Sequence, residues 1–207
     1  MKEKSPSSQR SYLVVDFEFT TYDKPVGRPR AYFSEILEFA AVLVEPPAAE
    51  LGASCQGFVQ PRFFPQFAQA SREFAMISED DLAGGMSFEQ MLAELGRLYK
   101  PGLTYLTAWG DADWSVLSTA CARYQAENPF QFADYLDLAY NYRSHFGYPR
   151  TPSLKDALAE QAITGEGYWH TALSDATGTA KLVLRLLALG WQPKAGIDTS
   201  LRFPDRR

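Results

Sequence analysis

Residues 12–20 read YLVVDFEFT, an apolar run that ends in two carboxylates, Asp16 and Glu18, two positions apart. Along a strand, residues i and i+2 share a face, so Asp16 and Glu18 project together while Phe17 and Phe19 project the other way. Side by side, two ionised carboxylates repel and are stable together only with water, a proton or a cation between them. A divalent cation is the specific remedy, and a metal held this way needs further carboxylates from distant sequence. Two stretches offer them. In AWGDADW, Asp113 follows a strand-like segment by a short turn, with Asp111 as its rival, and either acid equally suits a helix cap or first turn. In WHTALSDA, His170 lies five residues before Asp175, at the start of a long helical run. On a continuous helix that separation is roughly 140°, so both side chains face one site if the helix begins between them. His170 then sits on an entry loop, as suits a base that must move, and Asp175 on rigid structure, as suits a ligand. The second histidine, His145, reads as structural.

The elements that must position these residues are legible as changes of period. Strand patterns cover 12–19, then EILEFAAVLVEP at 35–46, then GFVQP at 57–61, which predicts an antiparallel meander. The connection at 21–34 is rich in Pro, Gly and Arg and reads as an exposed loop. Helical patterning begins with ISEDDL and continues in SFEQMLAELGRLY, where Ser87 and Gln90 stand at capping-box spacing. LTYLTAW at 103–109 is a fourth strand that runs straight into a helix with Trp114, Leu117, Cys121 and Tyr124 facing inward. A short fifth strand and a helix follow at 131–147, another helix opens at Pro152 and Ser153, and the last helix stops at Gly190. Strands first, then alternating strand and helix, predict an α/β domain with a mixed sheet.

Length and charge bound the rest. With 207 residues the chain has room for one substantial core. A net charge of −5 speaks against coating duplex nucleic acid by charge alone, although bound cations and arginines gathered by the fold (Arg28, Arg30, Arg62, Arg143, Arg150) supply local positive charge. Cys55 and Cys121 stand in no metal or redox spacing and read as reduced thiols of a cytoplasmic protein. The polar N-terminus lacks the apolar core of a secretory signal, and no run reaches membrane-spanning length.

The ordered set Asp16, Glu18, Asp113, His170 and Asp175 resembles the DEDDh exonucleases. The blocks VVDFEFT, FSEILEFAAVLVEP, ISEDDL, SFEQMLAEL, AWGDADWSVL, PSLKDALAE and HTALSDATGTAKLVLRLL are similar to those of the branch holding ERI-1-type exoribonucleases and KapD-like bacterial proteins. The resemblance covers about residues 12–189. It implies an RNase H-like fold, a five-stranded mixed sheet flanked by helices, and removal of nucleotides from 3′ ends. It also implies two bound Mg2+ ions, replaceable by Mn2+, held by Asp16, Glu18, Asp113 and Asp175, with His170 as general base. Glu35, in the block SEILE, is expected either to support the metal ligands from behind or to be structural. Phe19, Thr20 and Trp114 lie near the motifs and are expected to contact substrate, their surroundings closing the site to all but a terminal nucleotide. Phe19, Thr171 and Ser174 depart from the usual residues of the family and bear on substrate preference. The expected partner is the 3′ end of single-stranded RNA or DNA, with RNA favoured, and the chain is expected to be a monomer or homodimer. A DNA-directed enzyme and a binding protein of weak activity on the same fold are the alternatives. The expected organisation is a flexible tail at 1–10, an exonuclease domain at 11–190 and a C-terminal extension at 191–207.

Overall fold

A computed structural model describes residues 10–22, 27–164 and 171–195. Five strands, β1 (Ser11–Phe19), β2 (Ile36–Val44), β3 (Ser54–Phe58), β4 (Thr104–Ala108) and β5 (Tyr135–Asp137), form one sheet in the order β3-β2-β1-β4-β5. The first three pair antiparallel, while β1 with β4 and β4 with β5 pair parallel, so the expected meander and mixed sheet are both present. Seven α-helices lie among the described residues: α1 (Ala68–Phe74), α2 (Glu79–Ala83), α3 (Phe88–Leu98), α4 (Ala112–Tyr124), α5 (Leu138–Phe146), α6 (Leu154–Glu160) and α7 (Ala172–Ala188).

The hydrophobic run at the start of β1 is explained by burial on both faces. Leu13, Val15 and Phe17, with Phe39 and Ala41 of β2, pack against Met91 and Leu95 of α3 and Leu117 and Cys121 of α4. Tyr12 and Val14, with Ala40 and Val42, pack on the other face against Ala176, Ala180, Val183 and Leu186 of α7. A strand with helices on both sides has no solvent face to mark with polar residues. Gly178 lets α6 close on α7: a Cβ there would come within 3.0 Å of Leu158 Cδ1.

Local signals were obeyed where hydrogen bonding decides. Ser87 and Gln90 form the reciprocal capping box at the start of α3, Ser78 and Asp81 form another on α2, and Ser153 caps α6. The helical region starts earlier than its periodicity predicted. Helix α1 lies in a stretch of aromatic and polar residues with Ala68 as its buried member, and its place is set by packing against Leu37. The 21–34 connection is not wholly exposed either, since Tyr32 and Phe33 are buried. At the far end, Trp191 is buried against Tyr12, and the Asn141 side chain bonds both the N–H and the C=O of Lys194. Packing thus continues past Gly190 into the segment expected to be an extension. Arg10 pairs with Asp134 and lies over the Tyr105 ring, which anchors the start of β1.

Candidate active site

The central strand β1 carries Asp16 and Glu18 near its C-terminal end, on the face covered by α7. Asp175 stands in the first turn of α7, and its N–H bonds the Thr171 carbonyl. Ligand oxygens of Asp16, Glu18 and Asp175 all lie within 4.8 Å of one another. Asp113 arrives from the other side of the sheet, in the first turn of α4. Strand β4 pairs with β1 only as far as Val14 and Thr107, so β1 runs on past its parallel neighbour. In the gap, Asp113 Oδ1 accepts the N–H of Phe17 at 3.0 Å, taking the place of a strand partner and fixing the carboxylate beside Asp16.

The turn that aims Asp113 is held from β5. Gly110 has φ +99°, which an L side chain rarely adopts. Its carbonyl accepts the Tyr135 hydroxyl. Asp111 is half-buried at the end of this turn and makes no capping bond through its side chain. Of the two acids in GDADW, Asp113 is the one that bonds β1 and whose charge is felt by Asp16 and Glu18.

Electrostatically the four acids are in conflict. Burial pushes Asp16 well above the usual carboxylate range, and Asp113, Asp175, Glu18 and Glu38 push it further. Glu18 is raised to about 7, by burial first and then by Asp175, Glu38 and Asp113. Asp113 is also raised to about 7 by burial and by Asp175, against the opposing hydrogen bonds from the N–H of Phe17 and its own N–H. Acids in this state ionise together only when positive charge enters among them. The donor set, carboxylate oxygens from three separate elements, fits hard divalent cations.

The other expected residues are distributed unevenly. Phe19 and Trp114 are half-buried, the indole lying 5.4 and 5.2 Å from the rings of Phe132 and Tyr135, and both keep exposed surface. Thr20 is corrected: it is fully buried, and its hydroxyl accepts the Glu35 N–H at 2.9 Å and the Tyr32 hydroxyl at 3.1 Å, so it offers a substrate no surface. His170 lies outside the described residues.

Two further glutamates are buried. Glu35, read as a support to the metal ligands or as structural, is fully buried; its carboxylate accepts the N–H groups of Arg62, Phe63 and Phe64 and the hydroxyl of Tyr124. Glu38, which sequence reasoning passed over, lies directly across from Glu18 and accepts the Ala172 N–H at 3.2 Å. The signal was present, an acid inside the apolar run ILEFAAVLV, where a strand buried on both faces has no ordinary use for one. Also unforeseen is α1, which Ser71 ties to Thr21 and which presents Phe74 to solvent; Met76, two residues past its end, is exposed too, with φ +57°.

The exonuclease family model matches residues 13–183, from β1 to α7. The chain belongs to the exonuclease family. It is 31% identical over 172 residues to the probable 3′-5′ exonuclease KapD of Bacillus subtilis (strain 168), a match spanning 83% of this chain and 82% of that one. It is 26% identical to ERI1 exoribonuclease 2 of Danio rerio over the whole of this chain and 40% of that protein. Among solved structures, the nuclease domain of 3′hExo, a DEDDh family member bound to rAMP, superposes with a TM-score of 0.80 at 22% identity, over 93% of this chain and 99% of that one. The fold is the RNase H-like fold of the DEDDh exonucleases. This exonuclease is therefore a hydrolase with 3′-5′ polarity and a carboxylate cluster for divalent metal, and it resembles the ERI-1 and KapD branch in particular.

Proposed function

We propose that this exonuclease hydrolyses the 3′-terminal phosphodiester of single-stranded nucleic acid, RNA in preference to DNA, and releases nucleoside 5′-monophosphates. The observation that carries the reading is the meeting of Asp16, Glu18 and Asp175 within 4.8 Å, with Asp113 fixed alongside by the Phe17 amide. Asp16, Glu18, Asp113 and Asp175 would hold two Mg2+ ions, for which Mn2+ substitutes. Bound there, the ions supply an activated water nucleophile and charge stabilisation for the leaving 3′ oxygen.

The protein's own part is positional and acid–base. Asp16 and Glu18 stand on the central strand and Asp113 and Asp175 in first turns of helices, rigid elements suited to holding ligands in place. His170, two residues before α7, takes the proton of the attacking water; an imidazole with a pKa near 6.5 is suited to this at neutral pH. Phe19 and Trp114 offer aromatic surface to a terminal base, a sequence-tolerant contact. The preference for RNA is supported by the relative named an exoribonuclease. We assign the chain to the cytoplasm on its reduced cysteines; no described helix is long and apolar enough to cross a membrane.

The test is a time course on matched RNA and DNA oligonucleotides labelled at the 5′ end, with Mg2+ and with chelator. A descending ladder that chelator abolishes, faster on RNA, is the expected result. A faster DNA ladder would reassign the substrate, and tight binding without any ladder would make the chain a binding protein.

A further inference from the structure

Glu38 is buried at the edge of the site, 7% exposed, yet it stands apart from the three acids whose ligand oxygens converge. Its position is defined by register. Glu38 pairs directly with Glu18 across the antiparallel β1–β2 ladder, so the two side chains leave the sheet on the same face, the one α7 covers. The ladder shifts register at this point, between Glu18 and Phe19. There Glu38 Oε2 accepts the N–H of Ala172, the first residue of α7, at 3.2 Å. The first N–H groups of a helix have no partner within the helix. Thr171 caps the N–H of Ser174 through its hydroxyl, and Glu38 takes the N–H of Ala172 from the sheet side.

We infer that Glu38 is a positioning residue: it latches the first turn of α7 to β2 and thereby sets Asp175 opposite Asp16 and Glu18. The inference rests on the metal-binding reading of those carboxylates. A latch is useful because Asp175 belongs to a different element from Asp16 and Glu18, and Ala172, buried against the sheet, is the residue from which α7 sets out toward them. Glu38 itself adds negative charge to the cluster, and that sets the role apart from a purely structural one. Removing it should relax the folded apoprotein while spoiling the metal site.

The test compares Glu38→Met, which keeps the volume and loses the acceptor, with Glu38→Gln, which keeps an acceptor oxygen and loses the charge. Four readouts apply: Mg2+ affinity by calorimetry, exchange of the Ala172 amide, melting in chelator, and kcat against KM on an oligonucleotide. Glu38→Met should bind Mg2+ about 10- to 100-fold more weakly, the range expected when a group supporting a metal ligand is lost. Its Ala172 amide should exchange faster, its melting point in chelator should hold or rise, and kcat should fall while KM stays within about twofold. Glu38→Gln should recover Mg2+ affinity to within about threefold of the parent. Wild-type Mg2+ affinity in Glu38→Met would overturn the inference, and so would a Glu38→Gln variant as impaired as Glu38→Met. Failure of the parent chain to bind Mg2+ would instead overturn the metal reading on which it rests.

Discussion

At the scale of single residues, the site is governed by the cost of placing acids together. Asp16 is half-buried and pressed upon by four neighbouring carboxylates. Asp16→Asn should abolish mononucleotide release while raising the melting point of the metal-free protein, because the change removes charge from a site that repels it. Turnover at the parental rate in that variant would remove Asp16 from the metal site. His170→Ala is expected to act differently: calorimetric Mg2+ binding stays as in the parent, while kcat drops by about 10²- to 10⁴-fold, the usual contribution of a general base. Loss of Mg2+ binding in His170→Ala would make the histidine a ligand. Thr20 shows why nearness in sequence is a poor guide to contact. It follows the DFEF segment at once, but the strand ends there and its hydroxyl turns inward to Tyr32 and Glu35.

At the scale of elements, the connections matter more than the strands. Glu35 gathers three consecutive backbone N–H groups of residues 62–64 and the Tyr124 hydroxyl, so a single carboxylate joins the start of β2, the segment after β3 and the end of α4. Glu35→Ala should cost about 3 kcal/mol or more in urea unfolding, since it leaves several buried donors unsatisfied at once. A loss under about 1 kcal/mol would mean that water replaces the carboxylate. The capping boxes of α2 and α3 are local arrangements of four residues, and this is why Ser87 and Gln90 could be read directly from the chain. Helix α1 has no such marker and depends on Leu37, which is remote in sequence. Its existence was accordingly not legible.

At the scale of the whole molecule, the cluster makes stability depend on pH in an unusual direction. Glu18 and Asp113 are raised to about 7 in the folded, metal-free protein, against about 4 for carboxylates in an unfolded chain. Groups with a raised folded pKa bind protons more tightly when folded, so their contribution is fully present below about pH 4 and is lost as pH rises through about 7. In chelator the protein should melt at a lower temperature at pH 8 than at pH 5.5. Saturating Mg2+ should narrow or reverse that difference, because the ions bind the ionised carboxylates. A flat melting profile between these pH values in chelator would show that the acids do not share one buried site.

The sequence by itself made legible the acidic motifs and most of the elements: DFE in one strand, GDADW before a helix, LSDA at the start of another, and a mixed sheet to hold them. These are local patterns of period, capping and charge, and their family order identifies the reaction. Tertiary structure alone decided the distances. That β4 stops short of β1 and lets Asp113 take the Phe17 amide, that Glu38 faces Glu18 and holds α7, and that Thr20 turns inward are consequences of register and packing. Such contacts join residues roughly 100 or more positions apart, or depend on strand register or on where a strand ends, and no local pattern along the chain encodes any of these.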